Sequence, residues 1–469
     1  MEDWLSVYML SRIQFGVIAA FHILFPPLTM GLSLILLTFE VLWLRTRDAF
    51  YYRQLRFWTK LFLLNFGVGV VSGIPLEFSF GTNWAPFARD TGSFVGHLLG
   101  YEAVLAFMLE SAFLSIMVFG WRRVSAGVHL FATAMVALGA NLSAFWIMSA
   151  NSWMQTPSGA VFQDGKAIIT DYFAAIFNED LPAAYWHMTA AALELSLFVL
   201  GGVSAWYLLR GRHADFFLRL FKGAALALLL VAPLQIWLGD LQGQSVARSQ
   251  PAKLAAMEAH WQTNPPGTGA AWALLAWPDE AGQRNLWSLD IPYGLSLLVT
   301  HSPHGQVRGL REFPPADQPP VWIPFYSFRI MVAAGFFMAA VALWTLWAWR
   351  RGDLTPARIG TRRWLLRAWM ACIPIAYLAI ETGWFTREVG RQPWIVYGIM
   401  RTEHAYSALP LGTLLWSLVT YIVVYGVIIT MGFILARRIL RAGPDLSSPP
   451  PAPTGTAPDQ RPLPQGEAG

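Results

Sequence analysis

Residues 184–209 read AYWHMTAAALELSLFVLGGVSAWYLL. About 20 consecutive apolar residues cross a bilayer as a helix, so this run is long enough to span. Eight further runs of the same kind lie at about 13–43, 61–81, 95–120, 128–150, 223–239, 324–349, 368–385 and 411–436. The 469-residue chain is 55% hydrophobic and 13% charged, with a mean hydropathy of +0.44. A soluble domain carries roughly 25% charged residues, so lipid is the main solvent here. The sequence predicts an all-α polytopic membrane protein of about nine transmembrane helices, packed as a bundle because several spans carry polar or small residues. The first span lacks a basic leading segment and a small-residue cleavage site, so it is not a removable signal peptide.

Lys and Arg orient the bundle. Counted over alternate connections, 21 lie on one side and 11 on the other, with Arg329 inside a span. The richer side faces the cytoplasm, which puts the N-terminus outside and the C-terminus in the cytoplasm. The net charge of +5 is therefore topology, not a nucleic-acid signal, since the arginines sit between apolar runs rather than in one stripe. A single cysteine, Cys372, rules out an internal disulfide and a cysteine-built zinc site. Residues 1–442 form the membrane part, with a long outer loop at about 240–322 that marks a functional segment. Residues 443–469, Pro-rich and poor in large apolar groups, read as a disordered cytoplasmic tail.

Ionisable groups inside spans are costly and mark function by default. His22 sits in FGVIAAFHILFPPLTMGL and is either a packing histidine bonded to a hydroxyl or a functional one. Glu102 and Glu110, in GYEAVLAFMLES, lie eight residues apart, about 12 Å along an α-helix. They suit a proton relay, or else form a pair neutralised by burial or by arginine. His187 and Met331 lie at matching depth near the outer ends of two spans. Met in a span is ordinarily packing, but a His and a Met so placed also suit the axial positions of a low-spin haem. Arg329 would then neutralise propionates. In ETGWFTREVGRQPW, two charges of each sign crowd around Trp384. Glu388 there is a candidate metal ligand and Arg391 a candidate for holding a carboxylate.

These residues resemble subunit I of the cytochrome bd family of bacterial quinol oxidases, from about Ser11 to Ala436. The motifs that carry the likeness are GWFTREVGRQPW, the FRIM around Met331, YEAVLAFMLES, NLSAFWIMSANSWMQTPSG at 141–159 and KLAAMEAHW in the outer loop. The resemblance implies three haems, one low-spin b and two high-spin, either b and d or both b. His187 and Met331 match the low-spin axial ligands, and His22 and Glu388 match the ligands of the high-spin pair. Trp384 matches a tryptophan among the haems, Arg391 and Arg329 match positions near propionates, and Glu102 and Glu110 match the proton-delivery carboxylates. Lys253 and Glu258 match the quinol-binding residues of the outer Q-loop. About 55 residues separate Glu258 from Phe313, Pro314 and Pro315, which is the short-loop form and suggests the cyanide-insensitive branch.

The resemblance further implies oxidation of membrane quinol at the outer face and reduction of O2 to water with cytoplasmic protons, in the bacterial inner membrane. The expected partners are a subunit II in a heterodimer and a small accessory subunit, with no nucleic acid. Lys253 and Glu258 are five residues apart and do not share a helix face; Leu254, Ala255, Met257 and Trp261 are expected against the bundle while the two charges reach toward a headgroup. A membrane haem-b subunit linking quinone to a dehydrogenase would explain His187 and Met331, but not Glu388, His22 and the glutamates. A proton-coupled transporter would bind no haem, and no internal repeat supports one.

Overall fold

The computed structural model describes residues 6–447 and 449–451; most of the expected disordered tail lies outside them. Ser6 caps α1 (Val7–Ile23), its hydroxyl accepting from the Met9 N–H at 3.2 Å. The chain breaks at Leu24–Phe25, because Pro26 and Pro27 have no N–H with which to continue the helix, and restarts as α2 (Pro26–Thr46). The first expected span is thus two helices in tandem. Asn65 of α3 (Ala49–Thr82) secures the break by donating to the Phe25 carbonyl and the Thr29 hydroxyl, both at 2.9 Å. His22 is left in the last turn of α1, directly before the break.

The short α4 (Ala85–Thr91) and α5 (Val95–Tyr101) lead into one π-helical turn, Glu102–Phe107, which continues as α6 (Met108–Phe119). Then come α7 (Ala126–Gln155), a hairpin of β1 (Ala160–Gln163) and β2 (Lys166–Ile169), and α8 (Tyr172–Ile176). The long α9 (Leu181–Leu209) and α10 (Ala214–Ser249) follow. α10 runs well past residue 239, so the long loop starts at Gln250 rather than at 240. That loop holds α11 (Pro251–Met257), a hairpin of β3 (Trp272–Asp279) and β4 (Arg284–Ile291), and α12 (Gly294–Thr300). The chain ends with α13 (Trp322–Arg350), α14 (Arg363–Val389), a small hairpin of β5 (Trp394–Val396) and β6 (Met400–Arg401), and α15 (Leu411–Ala442).

Among the described residues nine helical segments are long and apolar enough to cross a membrane, with α1 and α2 counted together. All three hairpins are antiparallel, two-stranded and outside these segments. α9 is the most buried span and α15 the least. Small residues let the helices close on α9, as expected where lipid supplies no hydrophobic drive between them. A Cβ at Gly202 would fall 2.7 Å from Ile373 Cδ1 of α14, and one at Gly31 of α2 would fall 2.7 Å from the Ala192 carbonyl carbon. The long loop is clamped to α13: the Glu280 carboxylate accepts from the Val321 and Trp322 N–H groups at 2.9 and 3.0 Å, and the Tyr326 hydroxyl donates to the Ala276 carbonyl at 2.7 Å.

Candidate functional site

The sequence-predicted residues fall into two regions. The first is an ion-paired network at one mouth of the bundle, where the ends of α7, α10 and α14 meet the start of α9. Arg387, near the end of α14, donates to Asp180 at 2.6 Å, to Asn151 at 2.6 Å and to the Ser152 hydroxyl at 3.1 Å. Glu388 accepts from Asn151 at 2.9 Å and Gln155 at 3.4 Å, and is bonded to Arg391 through its other oxygen. Gln242 of α10 donates to Asp180 at 2.8 Å. Burial pushes the Asp180 carboxyl up, but the Arg387 guanidinium and the hydrogen bonds from Arg387 and Gln242 outweigh it and hold the group below the usual carboxylate range.

Lys253 belongs to this network rather than to the loop surface. Its ammonium donates to Gln155 at 3.2 Å and to the Arg387 carbonyl at 2.8 Å. The stem lies on Gly390, where a Cβ would come within 3.0 Å of Lys253 Cγ. Glu258, one residue past α11, accepts from Arg329 at 2.7 Å and from the Trp272 indole at 3.0 Å. Lys253 is 3% and Glu258 5% exposed, which corrects the expectation that both reach out toward a headgroup. The physical reason lies in their partners: each finds buried groups of the bundle that satisfy it. Burial, with help from Arg387, pulls the Lys253 ammonium down to about 7. Burial also pushes Glu258 up, against the opposing pull of Arg329 and Trp272. The two do not meet each other. Lys253 faces α14 and α7, and Glu258 faces α13.

His187 and Met331 each face a glycine of a neighbouring helix. A Cβ at Gly239 of α10 would lie 3.3 Å from His187 Cε1, and one at Gly383 of α14 would lie 3.0 Å from Met331 Sδ. The residues fit haem on three observations. Each side chain has a neighbour without a Cβ; the buried Nδ1 of His187 has no hydrogen-bond partner; and Arg391 Nε and Nη1 and Arg329 Nη1 are buried donors with none either. Spare guanidinium donors suit a propionate carboxylate. The Trp384 indole nitrogen is likewise buried and unpartnered.

The second region lies deeper. His22 Nδ1 is 3.0 Å from the Ser72 hydroxyl, and Gly73 leaves room beside the ring, since a Cβ there would be 3.1 Å from Cε1. The packing reading of His22 thus has its hydroxyl. The same bond fixes the ring and leaves Nε2 for a ligand, the arrangement that orients metal-bound histidines. Ser143 of α7 donates to Glu102 at 2.6 Å. Glu110 packs on Gly139, one turn earlier in α7, where a Cβ would come within 2.9 Å of its own, and Glu110 Oε1 has no partner. In a plain α-helix, eight residues would leave the two carboxylates about 80° apart. The π turn absorbs one extra residue, which brings them to within about 20° and aims both at α7.

Asp180, Asn151, Gln155 and Gln250 complete the mouth without standing out in the sequence. Asn151 and Gln155 sit in the quoted 141–159 motif but look like ordinary polar residues at a helix end. Asp180 precedes a span, where an N-terminal acid is common. Gln250, between α10 and α11, looks like any polar loop residue until its amide is seen donating to both the carbonyl and the side-chain oxygen of Gln155 at 2.8 Å.

Comparison with known proteins gives one consistent result. The family model described as cytochrome bd terminal oxidase subunit I matches residues 10–444. Cytochrome bd ubiquinol oxidase subunit 1 of Bacillus subtilis (strain 168) is 36% identical, over 97% of this chain and 98% of its own length. Cytochrome bd-II ubiquinol oxidase subunit 1 of Escherichia coli (strain K12) is 35% identical, over 94% and 97%. The solved structure of bd oxidase from Geobacillus thermodenitrificans superposes with a TM-score of 0.85 at 30% identity, covering 95% of this chain and 100% of that one.

Proposed function

The chain belongs to the cytochrome bd terminal oxidase subunit I family, and from that premise we propose that its outer mouth oxidises membrane quinol while its inner carboxylates deliver protons for oxygen reduction. It is a multi-pass haem protein of a bacterial respiratory oxidase, and being a subunit 1 implies other subunits. The single observation that carries the site assignment is the pairing of His187 and Met331 with Gly239 and Gly383, beside buried cations with spare donors. In this reading His187 and Met331 hold a low-spin haem, His22 and Glu388 hold the high-spin pair, and Arg329 and Arg391 take propionates. Haem, when bound, supplies the electron transfer and the oxygen chemistry.

The chain's own residues do the rest. Glu258, buried and raised, takes a hydroxyl proton as quinol is oxidised, and Arg329 stabilises the carboxylate before that transfer. Lys253 supplies positive charge on the side of α14 as the quinol oxygen becomes negative. Trp384, in the same α14 segment as Glu388 and Arg391, packs between the groups held there. At the inner region Glu110 passes protons to Glu102, since the π turn puts both on one face, and Ser143 holds Glu102 in place. Quinol releases its own protons at the mouth while the protons that form water are drawn from the Arg-rich side, so charge separates without a pump. The charge count of 21 to 11 makes the Arg-rich side cytoplasmic, with the N-terminus outside and the C-terminus inside. The heterodimer with a subunit II, a small accessory subunit, the short-loop form and its cyanide-insensitive branch complete the reading.

A reduced-minus-oxidised spectrum of the purified oxidase, with and without carbon monoxide, tests it. A low-spin component together with a high-spin component that shifts with carbon monoxide is expected. A low-spin component alone would leave the electron-transfer subunit as the better reading.

A further inference from the structure

At the Arg-rich end of the bundle, the end of α9 and the end of α15 enclose a cavity of about 440 Å3. Its lining has two parts. Trp206, Phe433, Ala436 and Leu440 make an apolar floor, and Arg210, Arg212, Arg437 and Arg441 stand around it. None of these four arginines pairs with a carboxylate among the described residues, although arginines elsewhere on the surface do, as Arg219 does with Asp48 at 2.6 Å. Arg210 instead lies 4.1 Å over the Trp206 ring and Arg212 lies 5.9 Å over Tyr207. The Tyr207 hydroxyl is bonded to the Leu440 carbonyl, which ties the two helix ends together and sets the width of the cavity.

We propose that this cavity binds an anionic phospholipid, with its phosphate among Arg210, Arg212, Arg437 and Arg441 and an acyl chain along Trp206 and Phe433. Charge complementarity selects an anion, since four arginines line the cavity with no acid among the lining residues. The apolar floor selects a lipid over a free phosphate, because a hydrated ion gains nothing from covering Trp206, Phe433 and Leu440. The place fits as well. α15 is the span least buried by this chain, Phe433 is 67% exposed on it, and basic pockets between spans on the cytoplasmic side recognise anionic headgroups. An acyl chain leaving the cavity along Phe433 runs directly into the apolar face of α15. The site lies at the opposite end of the bundle from the quinol residues and does not depend on their assignment.

The test uses the assembled oxidase purified in detergent, exchanged into mixed micelles of phosphatidylcholine with a trace of phosphatidylglycerol. Retained lipid is counted by native mass spectrometry for the wild type and for Arg212→Gln/Arg441→Gln. With each headgroup arginine contributing about 1 kcal/mol, the double variant should hold phosphatidylglycerol roughly thirty-fold more weakly, with an unchanged haem spectrum showing an intact fold. Phe433→Ala should weaken retention too, and inorganic phosphate at millimolar concentration should not displace the lipid. Equal retention of phosphatidylglycerol by the wild type and the double variant would overturn the proposal. So would displacement by phosphate alone, which would make the site a soluble-anion site, or equal retention of phosphatidylcholine, which would make it a plain apolar groove.

Discussion

The mouth and the carboxylate file of Glu102 and Glu110 hold similar residue types in opposite states. At the mouth, Asp180, Glu388 and Glu258 each meet an arginine, and amides of Asn151, Gln155 and Gln242 fill the remaining positions. In the file, Glu102 has one hydroxyl donor and Glu110 Oε1 has no partner. A carboxylate held by arginine stays charged and fixed. One buried with a single neutral donor, or none, is not held in its charged form. Asp180 and Glu388 are thus held to keep their charges where they are, Glu258, raised by burial, is the acceptor of the mouth, and the file hands protons on.

The contrast breaks most visibly at Arg387. Arg387→Met strands Asp180, a buried carboxylate, and removes a donor from Asn151. Breaking a buried pair from one side costs about 3–5 kcal/mol, so the variant should assemble poorly and melt well below the wild type in a thermal unfolding assay of the purified complex. The same argument applies to Glu258: Glu258→Ala would leave Arg329 unpaired in the interior, so Glu258→Gln, which keeps an acceptor, is the cleaner probe of quinol chemistry. If Arg387→Met melts like the wild type, the mouth is not the rigid half.

Glu110→Gln should do the reverse. With Oε1 unpartnered and the volume conserved, the melting point should move little, while steady-state oxygen consumption falls by a factor of about 100 or more, the scale of losing a positioned proton-transfer group. Oxygen-electrode rates measured beside melting curves check both halves of that statement. A smaller effect is expected from pH. Lys253 is an ammonium below about 7 and neutral above it, so the charge that attracts the developing quinol oxyanion fades as pH rises through about 7. kcat/KM for quinol should fall roughly ten-fold or more across that range, on the order of the 1.5–3 kcal/mol of a hydrogen bond to a charged group. Lys253→Arg, charged throughout, should flatten the fall.

Much of the fold was legible because lipid imposes a strict rule: each crossing must be a long apolar helix. The nine runs read from composition match the nine helical segments in order, and only the ends moved, as with α10 running on to Ser249. The break at Leu24–Phe25 was visible in FPP, yet the run around it was apolar enough to read as one span. The π turn left no mark in EAVLAF, because a one-residue expansion changes no residue type. At the site, His187, Met331, Glu388 and Arg391 stood out as charged or soft ligands in costly places. Asp180 and Gln155 did not, since acids and amides at helix ends are ordinary in any protein. The burial of Lys253 and Glu258 escaped the sequence for a related reason. A loop charge is expected in water, and only the three-dimensional arrangement shows that α14 and α13 supply partners.

The assignment of the mouth as the place where electrons enter rests on His187 and Met331 more than on any other pair. Met331→Leu nearly conserves volume, so the fold should hold, and Gly383 beside it leaves space for the exchange. The decisive measurement is the reduced-minus-oxidised spectrum of this variant in the assembled oxidase. A weakened or shifted low-spin band with the carbon monoxide-sensitive component retained is the predicted result. An unaltered low-spin band would contradict it and return Met331 to the packing of α13 against α14.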